Sequence, residues 1–292
     1  MSDQAISGAL LGSISPGRRL RNRIAMGSIW LCVLVAAVPL AFVITYLVQR
    51  GAGIVDLSFL TDDIPISSRL RGPGMGPAVL GTLLTTGAAT AMAVPLGVLA
   101  AVYLNEYGGK GRLAATIRFL SDVMAGVPSI VMGLFIYTVW VLRFGQTGFA
   151  GALALACLML PIVIRSAETA LQLVPSELRE ASAALGARTS RTILTVVLPA
   201  ALPGVLSGAL LAVARAAGET APLLFTIGTV TSSNPQLFEG TNTALSAQIF
   251  QNARLPFEGA IDRAWGAALT LIVLVFVLTA VARMVARRFT VR

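Results

Sequence analysis

Residues 180–219 read EASAALGARTSRTILTVVLPAALPGVLSGALLAVARAAGE. The stretch opens polar and helix-prone, passes into an apolar run, and carries Arg215 and Glu219 within that run. Hydrocarbon solvates charge poorly, so ionisable groups inside a membrane span mark a functional site by default. The polar first half, just outside the span, is placed where a soluble partner can grip it. We expect the first half to receive force and the second half to meet the cargo.

Working outward, the same apolar character recurs along the whole chain. Of the 292 residues, 56% are hydrophobic and only 12% are charged, whereas soluble domains average about 25% charged. Residues 24–49, 72–105, 123–142, 144–164, 192–214, 220–238 and 264–282 contain no Asp, Glu, Lys or Arg. Each run approaches or exceeds the roughly 18 residues that suggest a transmembrane helix. Only helices and closed barrels satisfy every backbone group in lipid. These runs are continuous rather than alternating, which excludes a barrel. The expected fold is an all-α polytopic membrane protein with six transmembrane helices and both termini inside the cell.

The expected boundaries follow from charge and from Pro and Gly. Residues 1–24 form a mobile cytoplasmic tail, and residues 25–48 the first span, which acts as its own insertion signal. Residues 49–76, rich in Gly and Pro, form a periplasmic loop. The second span lies within 77–104, the third near 123–142, and the fourth over 148–164. Residues 165–198 are an inner segment. One span over about 201–224 holds both Arg215 and Glu219. Residues 229–262 form a polar outer loop, the last span covers 264–282, and 285–292 are a cytoplasmic tail. With this topology fifteen basic residues fall inside and six outside, as the positive-inside rule requires. The same rule accounts for the net charge of +9, so nucleic acid is not an expected partner.

Several chemistries are excluded. The chain has no His, and Cys32 and Cys157 both lie in apolar runs, so neither a zinc site nor a disulfide framework is expected. No nucleophile–base constellation is visible, so the chain is not expected to be an enzyme. A G-x-x-x-x-G-K-[ST] loop is missing, so the chain does not hydrolyse ATP itself. The spans carry no carboxylate other than Glu219 for a proton relay. That argues against a gradient-driven anion transporter.

Within the inner segment, Ser176 is an expected helix N-cap, and Glu177 and Glu180 follow in the first turn, where the dipole favours acids. Gly186 supplies a left-handed stop. Thr189 or Ser190 caps a second short helix, and Pro199 opens the next span. In the fifth span, 100° per residue sets Arg215 and Glu219 about 40° apart on one face. Gly204, Gly208 and Ala212 share that arc, a stripe that permits close helix approach. A guanidinium there can offer two hydrogen bonds to an oxyanion. A nearby carboxylate keeps the hold weak enough for release.

The spacing Glu180-Ala181-Ser182, three residues, Gly186, nine residues, Val196-Val197-Leu198-Pro199 resembles the EAA signature of ABC importer permeases, E-A-A, three residues, G, nine residues, I-x-L-P. Ser182 and Val196 depart from it. The segment from Ala214 to Phe225 resembles the ARAxGETAPLLFT segment of phosphate (Pst) importer permeases. Tyr103–Gly108, Arg118–Leu134, Gln248–Phe250 and Ala264–Leu269 are similar to the same family, and the last two to its A-type subunit. The resemblance implies the type I importer transmembrane domain over residues 77–284, with coupling segment 166–198. It implies that Glu180, Ala181, Gly186, Leu198 and Pro199 couple to an ATPase, and that Arg215 and Glu219 line the substrate path. The implied partners are a homologous C-type permease, two ATP-binding subunits and an extracytoplasmic phosphate-binding protein. The implied cargo is inorganic phosphate. No cofactor is expected on this chain, with ATP and Mg held by the partner ATPase. The implied location is a prokaryotic plasma membrane. A permease for sulfate or molybdate shares the loop signature and is the alternative.

Overall fold

The computed structural model describes the backbone of residues 16–109 and 111–290, and their side chains except those of Pro16, Arg19 and 285–290. The expected tail over residues 1–15, Lys110 in the inner loop, and residues 291–292 lie outside the described residues. The described chain is helical without strands and divides into two units, 1–49 and 50–292.

The first unit is dominated by α1 (Pro16–Gly51), whose last two residues belong to the second unit. The helix starts at Pro16, so residues 16–23 are helical rather than tail. Proline suits the first turn of a helix, where its missing N–H would have no intrahelical partner. Large apolar side chains along α1, Trp30 and Phe42 among them, are exposed, as for a helix that meets lipid or another chain.

The second unit begins with a short helix, α2 (Leu57–Thr61), capped by Asp56, whose carboxylate accepts from Phe59 N at 2.7 Å. The expected periplasmic loop is therefore packed. Phe59, Ile64 and Met75 are buried together with Leu245 and Ala267. Next come α3 (Gly76–Val102) and one π-helical turn, Tyr103–Tyr107. Then follow α4 (Arg112–Gly126), α5 (Ser129–Ile136), a second π turn (Tyr137–Val141) and α6 (Leu142–Phe144). The long α7 (Gly148–Gln172) leads to α8 (Ser176–Ala184) and α9 (Thr189–Thr192). A third π turn (Ile193–Val197) leads into α10 (Leu198–Ala217), then α11 (Ala221–Thr226), α12 (Leu245–Ala253) and α13 (Glu258–Thr290).

Five described helices are long and apolar enough to cross a membrane, and α4 with α5–α6 makes a sixth if that bent pair is one span. The pair bends by 105°, so the third span expected near 123–142 is broken at Val127–Pro128 and its first half starts at Arg112. Proline lacks an N–H and pushes the preceding residue out of the α region. Val127 and Pro128 are accordingly extended, at ψ 127° and 136°. The outer loop expected over 229–262 is partly helical, because α12 folds back onto α3 and α13. The C-terminal tail expected from 285 is helical to Thr290.

At the centre of this unit stands α7, against α3, α10, α4, α5 and α11. Its core face is built from small residues: Ala152 and Ala156 with Leu155 and Met159 meet Ala89 and Ala93 of α3 and Ala212 of α10. In lipid there is no water to expel from between helices, so contact distance rather than side-chain bulk drives association.

Candidate functional site

Arg215 lies in the last turn of α10, and the helix stops at Ala217. The single span over 201–224 is therefore corrected. Pro222 sits in the first turn of α11, and proline's ring would collide with the carbonyl of the fourth residue before it, here Gly218. Glu219 thus occupies a turn between two helices and does not share a helical face with Arg215. The side chains still meet, with Arg215 Nε 3.5 Å from Glu219 Oε1. One continuous helix does not carry both charges, but their pairing is retained. A cation at a helix C-terminus is favoured by the dipole, which is a local reason for Arg215 to be tolerated there.

The two partners differ in exposure. Arg215's side chain is 68% exposed and Glu219's 17%. Glu219 is held from behind, since Ser246 Oγ of α12 donates to its backbone carbonyl at 2.8 Å. The guanidinium faces outward on a stripe with Ser207 and Leu211, which are also exposed. The small residues of α10 share the face turned to α7. Gly208 and Ala212 are buried, and a β-carbon at Gly204 would stand 2.7 Å from Ala170 Cβ on α7. The glycines set the α7–α10 approach, and Arg215 is left exposed.

At the other end of α10 lies the segment with the EAA-like spacing. α8 begins at Ser176 with Pro175 as its cap residue, so Ser176 is the first helical residue and caps nothing. Gly186 has φ +77°, the left-handed conformation expected of it. α9 starts at Thr189 after Arg188. Glu180, Ala181 and Gly186 are exposed, as are Leu178 and Leu185. Leu198 is half-buried against a cluster that includes Ala201 and Val205, and exposed Pro199 lies in the first turn of α10. The structure thus leaves Glu180 and Ala181 exposed on α8 and Gly186 exposed in the turn after it, and assigns Leu198 and Pro199 to the following helix.

Three further ion pairs among the described residues lie between elements distant in sequence. Arg118 Nε donates to Glu168 Oε1 at 2.8 Å, Arg179 Nη2 to Glu106 Oε1 at 2.9 Å, and Arg165 pairs with Asp122. Glu168 is buried within α7, which continues to Gln172, well past the expected end at 164. The statement that the spans hold no carboxylate but Glu219 is reversed on both counts. Arg263 on α13 is also buried, donating to Asn252 Oδ1 at 3.0 Å and to the Leu70 carbonyl. Asn252 in turn donates to Gln248 Oε1 at 2.9 Å.

Residues 93–291 match the family described as binding-protein-dependent transport system inner membrane component. The phosphate transport system permease protein PstA 1 of Mycobacterium tuberculosis (strain CDC 1551 / Oshkosh) is 41% identical over 288 residues, covering 97% of this chain and 94% of that protein. The chain belongs to the PstA permease family. PstA of Haemophilus influenzae is 40% identical over 263 residues, 88% of this chain and 91% of that one. Among solved structures, an inward-facing MetNI methionine ABC transporter aligns at TM-score 0.58 and 20% identity, over 73% of this chain and 93% of that one. A bacterial ABC transporter involved in the import of alginate aligns at TM-score 0.60 and 16% identity, over 92% and 99%. At such identities these two carry the fold alone, that of an ABC importer permease. In this PstA-family chain, then, the bent α4–α5 pair and the broken α10–α11 pair are features of a multi-pass permease.

Proposed function

We propose that this chain is the A-type permease subunit of an ATP-driven phosphate importer and forms half of its translocation path by alternating access. The observation that carries the reading is the open guanidinium of Arg215, 3.5 Å from a carboxylate that is mostly covered. An arginine of that kind binds an oxyanion with two parallel hydrogen bonds. Glu219 partly neutralises it, so the anion is released again. The phosphate cargo is supported by the PstA relatives, which are phosphate transport permeases.

In this reading the exposed side of α8, with Glu180, Ala181 and Gly186, docks on an ATP-binding subunit, which supplies the hydrolysis. The other half of the path comes from a C-type permease, and an extracytoplasmic phosphate-binding protein delivers the anion. Alternating access requires contacts that differ between the two states, and nucleotide-driven closure of the ATPase pair provides them. Both termini lie in the cytoplasm of a prokaryote, on the strength of the basic-residue asymmetry.

The test is uptake of radiolabelled phosphate in a strain lacking this chain, with and without its restoration, and with excess sulfate or molybdate as competitor. Uptake restored by the chain and indifferent to those anions supports the reading. Competition by sulfate or molybdate would move the substrate class. Uptake in vesicles that continues without ATP, on an ion gradient alone, would make the chain a secondary transporter.

A further inference from the structure

The coupling helix α8 is joined by chain to only two of the long helices. Leu173–Pro175 ties it to α7, and α9 with the π turn ties it to α10. The second span, α3, has no such connection. What links it to α8 is a side-chain pair across 73 residues of sequence. Arg179 on α8 presents Nη2 to Glu106 Oε1 at 2.9 Å and Nε to Oε2 at 3.3 Å. Glu106 belongs to the π turn that ends the second span, and its side chain is 8% exposed.

Both partners are held in place. Asn105 Nδ2 donates to Glu106 Oε1 at 2.6 Å. Arg179 also donates to the carbonyls of Val174 at 2.8 Å and Leu171 at 3.1 Å, two buried residues where α7 gives way to α8. The π turn itself is steadied by Arg118, whose Nη2 donates to Leu104 O at 3.0 Å. Single π turns inside helices occur frequently at functional sites because they loosen the ladder locally. Here the loosened turn carries the carboxylate that α8 grips. Three residues on, along the same side of α8, Ser182 Oγ and Thr192 Oγ1 lie 2.8 Å apart.

We infer that the Arg179–Glu106 pair is the link that makes the π turn ending the second span follow α8. The inference rests on the reading that α8 docks on the ATPase. A two-pronged guanidinium–carboxylate contact fixes angle as well as distance. Its burial keeps it from being screened as a surface pair is. Displacement of α8 therefore reaches the π turn directly, in step with α7 and α10, on which α3 is already packed. Without the pair, α3 still follows α7 through their shared face, while the π turn at the end of α3 is free to lag behind α8. Arg179 and Glu106 act as positioning residues and do not touch phosphate.

The test uses the whole importer in proteoliposomes, with phosphate uptake and ATP hydrolysis measured on the same samples. The double variant Arg179→Gln with Glu106→Gln removes the charges together and strands neither. It is expected to hydrolyse ATP while phosphate moved per ATP falls about tenfold, within the usual span of coupling between sites. Arg179→Lys, which keeps the charge but not the fork, is expected to fall between the double variant and the parent. An unchanged ratio, or uptake and hydrolysis falling in parallel, would overturn the link. Glu180→Arg, on the open side of α8, separates the two ideas. If it leaves ATPase co-purification and hydrolysis untouched, the docking reading fails and takes the link with it. If it weakens both while the double variant keeps its ratio, the link alone is wrong.

Discussion

Gly208 of α10 leaves no room for a side chain above Ser166 of α7, since a β-carbon built there would overlap Ser166 Cβ and Oγ. The approach of these two helices is set by that glycine and by Gly204 over Ala170. Gly208→Val is expected to push the helices apart and cost about 1–3 kcal/mol, as overpacking does. Thermal unfolding of the purified chain in lipid-containing micelles would show it as a lower Tm. Ser166→Gly in the same chain is expected to return part of the loss, because the two sites share one contact. A Gly208→Val protein with the parent's Tm would mean that α10 is not seated on α7 in this register.

Glu168 is the most deeply buried of the paired carboxylates, at 6% side-chain exposure, against 34% for its partner Arg118. Deleting the acid leaves a guanidinium whose main partner is gone. Breaking a buried pair from one side costs about 3–5 kcal/mol, and the partial exposure of Arg118 argues for the lower end. Glu168→Ala is expected to lower the denaturation midpoint strongly, while Glu168→Gln with Arg118→Gln loses much less. Equal losses in the single and double variants would show that the pair contributes only by filling space.

How far the sequence speaks depends on the range over which each feature is encoded. The spans are written as continuous apolar runs, and Gly186 is written as a glycine at a fixed place after Glu180, so both were legible. Pro128 and Pro222 were visible too, yet proline is tolerated inside membrane helices when neighbours re-satisfy the freed groups. Nothing local distinguishes a tolerated kink from the 105° bend after α4 or from the stop at Ala217. The ion pairs were illegible for a different reason. Arg118 and Glu168 are 50 residues apart, and Arg179 and Glu106 are 73 apart. Counting basic residues for sidedness registers their charge but not their partners. Arg263 was counted as an outer-loop cation, whereas Asn252 and the Leu70 carbonyl draw it inside.

Arg215→Gln is expected to abolish phosphate uptake while the importer still assembles. The side chain is 68% exposed, so its removal leaves no buried cavity and stability is expected to change little. Arg215→Lys keeps a cation but loses the planar fork, and partial uptake is the expected result. The checks are uptake of labelled phosphate and co-purification of partner subunits from the same membranes. Normal uptake by Arg215→Gln would reduce the Arg215–Glu219 pair to a helix-end contact.

Asp56 gives a pH dependence outside the spans. The Phe59 N–H and then the Ser58 hydroxyl bond to its carboxylate, holding its pKa below the usual 3.8. A depressed folded-state pKa contributes stability that is fully present above the unfolded value and is lost as pH falls through the folded value. The cap on α2, and with it the seating of buried Phe59, is therefore expected to weaken only below about pH 3.8. Asp56→Asn keeps an acceptor for the Phe59 N–H, and its stability is expected to be flatter over that acidic range. Parallel acid profiles for Asp56→Asn and the parent in thermal unfolding would assign the acid sensitivity to other carboxylates.

Gly186 separates backbone conformation from bulk. Its φ is +77°, and a β-carbon there would meet nothing within 4 Å. Gly186→Ala therefore introduces no collision within the chain, and its effect comes from the left-handed backbone, which costs an L-residue about 1–2 kcal/mol. The chain relieves that strain by redirecting the segment between α8 and α9, which tilts the exposed face carrying Glu180. Retention of the ATPase subunit on the purified permease is expected to fall in the order parent, Asn, Ala, Val at position 186. Asn ranks first among the variants because it tolerates the left-handed region, and Val last because its branched β-carbon does not. If Ala and Asn both retain the ATPase fully and only Val loses it, the empty space above Gly186 is where the partner sits, and contact rather than backbone conformation is what the glycine supplies.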